Sequence, residues 1–244
     1  MVNFKAVEQE LEKVLFEEVD LLCEEMSPKE KVKKIEAEIR EDLKYFKKKC
    51  TDGFCYCLDA IKELAAQDPE IHISKIKNNL TLSFGKLNGI ETIHEYGSQA
   101  VDGKSWSDLL GFSAETSEAL YKGAKYLFDQ ERFVEAEAAF CFITTFDATN
   151  YASWLGLGHA NFHCENFNKA IQAYALAHWC DRESVWPHMY AANTFEVLHD
   201  YKRALVALEL AFKTVENAPQ KDRYMQEALK QRLALVKERA EKNR

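Results

Sequence analysis

Glycine and proline are scarce in this chain, nine and four of its 244 residues, which suits a mostly helical protein with short turns. No apolar run approaches the ~20 residues that a membrane span needs. Residues Met1 to Leu15, MVNFKAVEQELEKVL, lack the apolar core of a secretion signal. Positive charge is in deficit as well: 32 Lys and Arg against 40 Asp and Glu leave a formal charge of −8. That balance counts against nucleic acid and anionic membrane as main partners. The seven cysteines are odd in number and scattered, so reduced thiols and a cytoplasmic location are expected. A Gly-rich phosphate loop, a nucleophile elbow and an HExxH motif are all missing, so neither an enzyme nor a cofactor is expected.

What the chain has is a period. A step of 34 residues links Phe133, Phe167 and Tyr201, and likewise Ala136, Ala170 and Ala204. The same step links Ala124, Gly158 and Ala192, and Phe140, Tyr174 and Leu208. Several independent columns on one step define repeats at 117–150, 151–184 and 185–218, with no gap between them. The spacing inside each is that of a tetratricopeptide repeat, a hairpin of helices A and B. A small residue such as Gly158 lets helix A approach helix B, where the small Ala170 receives it. Trp154 and Tyr174 then fill the gap towards the next hairpin. One hairpin cannot bury its own apolar face, so the hairpins must stack. Beyond Pro219, the stripe of Met225, Leu229, Leu233 and Val236 predicts a capping helix over 220–242.

The first hundred residues show no such step. Phe4, Val7, Leu11, Val14, Leu15 and Leu22 stripe an amphipathic helix over 3–26, and Ser27-Pro28 opens a second. Phe54, Leu58, Ile61 and Leu64 mark a third, and Ile73, Ile76 and Leu80 a fourth. Asn88-Gly89 and Asp102-Gly103 are turn signals, which puts a domain boundary at 103/104. The expected fold class is therefore all-α: a separate helical N-terminal region over 1–103, then a repeat domain over 104–244. That second domain is an α-solenoid of three tetratricopeptide repeats plus a capping helix. Cys50, Cys55 and Cys57 lack metal-site spacing and are expected as buried thiols.

With the repeats placed, residues 106–218 resemble the class II chaperones of type III secretion systems, which hold membrane-inserting translocator proteins before export. The resemblance is carried by Asp108-Leu109-Leu110-Gly111, Leu120-Tyr121 with Ala124, Trp154-Leu155-Gly156-Leu157-Gly158 and Ala170-Ile171-Gln172-Ala173-Tyr174. Pro187 just inside the third repeat, followed by Ala191-Ala192, completes it. It implies a cytosolic chaperone whose partner is a secreted translocator or effector protein, bound as a peptide segment. It also brings a homodimer into view, since the family tends to use its N-terminal part for dimerisation. The chain departs from the family at the turn between helices A and B, where glycine is usual and Glu131, Glu165 and His199 stand here.

Stacked hairpins curve, and helix A of each lines the concave face. The first repeat supplies Tyr121, Lys125 and Phe128 to that groove; the second supplies Leu155, His159, Phe162 and His163; the third supplies Trp186, Met189 and Asn193. Apolar and aromatic side chains gathered on one concave face point to peptide binding. Lys125 is the lone cation among them, so an extended apolar segment fits better than a carboxylate-terminated one. His159 and His163 have the four-residue spacing of metal ligands, but no third ligand follows by spacing, so they are read as groove lining without metal. A reading from a different class is a scaffold or adaptor whose repeats join folded partners.

Overall fold

Several helices begin at polar side chains that cap them, and each hairpin reverses through a residue with positive φ. In the computed structural model, residues 48–86, 95–96, 99–100, 104–217 and 223–242 are described. The helix expected over 3–26, the start of the second at Ser27-Pro28, and the turn signals at Asn88-Gly89 and Asp102-Gly103 lie outside them. The chain divides into two compact units, Met1–Lys48 and Lys49–Arg244; the first falls almost wholly outside the described residues. In the second, α1 runs over 49–65 and is followed by α2 (Ile73–Gly85) and the short α3 (Trp106–Leu110). Three hairpins come next: α4 (Ala114–Asp129) with α5 (Phe133–Phe146), α6 (Tyr151–His163) with α7 (Phe167–Cys180), and α8 (Trp186–Val197) with α9 (Tyr201–Asn217). A last helix, α10 (Arg223–Lys242), closes the unit. Among the described residues there is no strand; the fold is all-α.

Four side chains cap helix starts: Ser105, Ser113, Asn150 and Asp200 accept the backbone N–H of Asp108, Thr116, Ser153 and Arg203, each satisfying one of the donors that a first turn leaves open. The hairpin turns share one device at the other end of helix A. Glu131, Glu165 and His199 have φ of 59°, 61° and 57°, the left-handed region that glycine occupies most easily. Each forms the same double closure: Glu165 N–H donates to Phe162 C=O and Asn166 N–H to Asn161 C=O, at 3.0 and 2.9 Å. The three departures from glycine noted in the sequence are therefore the three strained turns of the fold.

The 34-residue columns are the core. Ala136, Ala170, Ala204, Ala124 and Ala192 are fully buried, as are Phe140, Tyr174 and Leu208 to within 2 %. The small residues work somewhat differently from the expectation. A side chain at Gly158 would first meet the Tyr174 ring, 2.3 Å away, rather than Ala170, and one at Gly156 would meet the Phe140 ring of the preceding hairpin at 2.4 Å. These glycines are seats for aromatic rings, and the rings knit successive hairpins together. At the far end α10 buries Leu229 and Val236, with Met225 and Leu233 partly buried against the core of the third hairpin.

Residues on both sides of the expected boundary at 103/104 share one core. Cys57, Ala60 and Ile61 of α1, and Ile76 and Leu80 of α2, belong to one buried cluster with Leu120, Leu127, Phe140 and Phe142 of the first hairpin. Phe54, Phe84, Phe112, Phe142 and Phe146 pack ring to ring at 4.9 to 5.8 Å. The first hairpin has no preceding repeat to cover it, and α1 to α3 cover it with a different geometry. A search for a 34-residue step cannot see such a cover. The compact unit thus begins at Lys49.

Candidate peptide groove

The three A helices bring side chains from successive hairpins to one cavity of about 260 Å³. Its lining is Phe128 from α4, His159, Phe162 and His163 from α6, Tyr174 from α7, and Tyr190 and Asn193 from α8. Rings hold rings throughout. His163 stacks on Phe133 at 4.2 Å with planes 11° apart, and Phe128 meets His163 edge-on at 5.4 Å. His159 stands edge-on to Tyr190 at 4.3 Å, and Trp186 stacks on Tyr190 at 6.0 Å. A continuous aromatic band therefore runs across three hairpins.

One polar atom in this band stands out. His159 Nε2 is buried and has no hydrogen-bond partner, although buried polar groups are nearly always paired. Burial, with the charge of His163 as the second cause, pushes its pKa below the usual histidine range, so the ring is neutral at pH 7. A neutral imidazole offers one donor and one acceptor. The floor of the cavity is apolar while this edge can make a hydrogen bond.

Five of the ten groove residues expected from sequence meet in the cavity: Phe128, His159, Phe162, His163 and Asn193. Trp186 borders it through Tyr190. Tyr121 lies instead against Phe140, at 6.1 Å, as part of the first core. Met189 packs against the core of the third hairpin. Lys125 is exposed and paired with Asp129, and Leu155 is half-buried outside the cavity lining. Asn193 accepts a hydrogen bond from Arg232 of α10, and Arg232 and Arg239 both bond Glu196, at 2.7 and 3.0 Å. The capping helix thus fixes one end of the groove.

Two lining residues were not anticipated. Tyr174, expected to fill the gap towards the next hairpin, also lines the cavity. Tyr190 stands 34 residues after Gly156, so the repeat comparison aligned it with a residue that has no side chain. The stripe Trp186, Tyr190, Asn193, at helical spacing, carried the signal. Among the described residues no group of three metal-ligating side chains exists, so no third ligand stands beside His159 and His163. Among the same residues no helix is long and apolar enough to cross a membrane.

By class the described residues form an α-solenoid of helical hairpins, with an aromatic inner face. No family model matches the chain, and no curated protein matches it. Solved structures do. The type III secretion translocator chaperone SycD of Yersinia enterocolitica is similar with a TM-score of 0.50 and 21% identity, over 55% of this chain and 98% of SycD. A type III secretion complex from Aeromonas hydrophila is similar with a TM-score of 0.55 and 20% identity, over 60% of this chain and 97% of the matched one. The resemblance read from the motifs is thus matched by a shared fold over more than half of the chain.

Proposed function

We propose that this protein is a cytoplasmic chaperone of the type III secretion kind, which holds an extended apolar segment of a secreted translocator or effector in the groove of its A helices. The observation that carries the reading is the cavity on the A helices, aromatic in its walls, with one unpartnered histidine nitrogen. At about 260 Å³ it falls just below the ~300–1,000 Å³ of typical small-molecule sites. It suits one or two apolar side chains of a peptide better than a whole metabolite. An extended strand laid across the groove buries a side chain there and presents its backbone to His159 Nε2, which removes the unpaired polar atom. The shared fold with SycD, itself named as a translocator chaperone, supports the same reading. Its action is binding and shielding, with no reaction catalysed; a homodimer belongs to the same proposal and is read by light scattering.

The experiment is co-expression. The tagged full chain is purified from its source cells and its companions are identified by mass spectrometry, then each is expressed with and without this protein. One dominant companion that is soluble only in its presence supports the chaperone. Several folded companions, each soluble alone, support the adaptor and overturn the proposal.

A further inference from the structure

The contact between α1 and α5 holds chemistry that the groove does not use. Across it Lys49 meets Glu137, Cys50 meets Cys141 and Thr145, Gly53 meets Ala138, and Phe54 meets Phe142. Gly53 marks the closest approach, because a Cβ placed there would stand 2.0 Å from the Ala138 carbonyl oxygen. The two backbones touch at this point. Cys50 lies about one helical turn from Gly53, and Cys141 about one turn from Ala138. The two thiols interact across this crossing. Cys50 Sγ is also 3.6 Å from Thr145 Oγ1, which donates to the Cys141 carbonyl at 2.7 Å. Side chains of helices in backbone contact are within reach of the ~4 Å Cβ separation that a disulfide requires.

We infer that Cys50 and Cys141 are a peroxide-reactive thiol pair, and that oxidation closes them into a disulfide that clamps α1 to the first hairpin. The inference does not depend on what the groove binds. The two sulfurs have different roles. The neighbouring Cys141 thiol holds the Cys50 thiol below the usual cysteine range, against the opposing effect of burial, so Cys50 is the more readily ionised sulfur and the attacking one. The neighbouring Cys50, and then burial, push the Cys141 thiol up, so it keeps its proton and acts second. Both retain partial exposure, whereas Cys57 is fully buried and burial pushes its thiol up.

The chemistry balances with a hydroperoxide as oxidant. The Cys50 thiolate attacks one oxygen of hydrogen peroxide; the O–O bond breaks, an S–O bond forms, and hydroxide leaves. Cys141 sulfur then attacks Cys50 sulfur, the S–O bond breaks, and a second hydroxide leaves. The protons of the two thiols convert both hydroxides to water. Two electrons pass from the thiols to the peroxide, and a dithiol reductant restores the pair.

The test uses the full chain, treated with hydrogen peroxide, alkylated and digested without reduction. A peptide pair joined through Cys50 and Cys141, and released by dithiothreitol, is expected. Cys55→Ala, which removes an exposed thiol nearby, leaves that product unchanged. Cys141→Ala abolishes it, and dimedone then traps a sulfenic acid at Cys50. The oxidised wild type melts several degrees above the reduced protein, and this rise is missing in Cys50→Ala. Recovery of Cys50 and Cys141 as free alkylated thiols, at a peroxide dose that oxidises Cys55, overturns the pair. Disulfides that join other cysteines do the same, and a melting point unmoved by the Cys50–Cys141 bond overturns the clamp.

Discussion

Replacing Glu131, Glu165 and His199 by glycine is expected to stabilise the array. Each residue sits at φ near +60°, a conformation that costs an L-residue with a Cβ roughly 1–2 kcal/mol. Glycine relieves that cost and gives back about 0.4–1 kcal/mol through the greater freedom of its unfolded chain. The net gain is about 0.5–1 kcal/mol per turn. The turns are one per hairpin, and their closing hydrogen bonds run backbone to backbone, at 2.9 to 3.0 Å in all three. Nothing in the substitution removes them, so the gains should add. The triple variant should gain about 1.5–3 kcal/mol, which for a unit of this size raises the midpoint by roughly 3–10 °C. The assay is a far-ultraviolet circular dichroism melt of four proteins: wild type, the two charge-only controls Glu131→Ala and Glu165→Ala, and the triple glycine variant. Alanine keeps the Cβ and loses the charge, so the controls should melt within a degree or two of wild type. A triple variant that melts at or below wild type, or alanine controls that rise as far as the glycines, would refute strain as the reason.

Three further outcomes follow from the same contacts. A fragment over 49–244 should fold as a soluble helical unit, while one over 104–244 should be poorly soluble or loosely packed, because it strips α1 and α2 from Leu120, Phe140 and Phe142; equal melting of the two would support the boundary at 103/104. Ala170→Trp should cost ~1–3 kcal/mol or more by overpacking a fully buried position, and an unchanged melt would reject the repeat register. His178 and His188 have ring centroids 4.3 Å apart; burial holds both below the usual histidine range, His188 at about 4. Both rings are neutral in the folded protein at pH 7, so their contribution is complete above the unfolded pKa of about 6.5 and declines as pH falls towards 4. After discounting for the partial exposure of His188, the loss is roughly 2 kcal/mol. His188→Phe should flatten the stability profile over that window, and a slope unchanged by the substitution would reject the pair as its source.

The repeat array was legible because its core repeats. Ala136, Ala170 and Ala204 recur at a fixed step for the same reason that all three are buried: each hairpin meets its neighbour through the same surface. Where that reason fails, so does legibility. The helices α1 and α2 meet the first hairpin through Cys57, Ile61, Ile76 and Leu80, a unique contact with no second copy to compare. Five of the ten residues expected in the groove share one cavity, and the others lie elsewhere for separate physical causes. Tyr121 and Met189 occupy groove positions by count, but at the ends of the array the neighbouring elements turn them into core. Tyr190 was hidden by Gly156, its equivalent one repeat earlier, which carries no side chain to suggest a lining position. The Cys50–Cys141 contact rests on a helix crossing at Gly53, and no spacing in the chain announces a crossing.

The central claim is that the cavity on the A helices holds an apolar segment of a partner, and Phe162 tests it most directly. Phe162 is a half-buried wall of the cavity, with its ring 5.6 Å from Phe167 and 5.8 Å from His163. The measurement is the affinity of the companion protein found by co-expression for wild type and for Phe162→Ala, with thermal midpoints taken on the same samples. An aromatic anchor in a binding pocket contributes ~2 kcal/mol or more, about thirtyfold in affinity. The expected result is a loss of that size with a midpoint lowered by only a few degrees. Affinity equal to wild type in a variant that remains folded would contradict the claim and place the partner on another face of the protein.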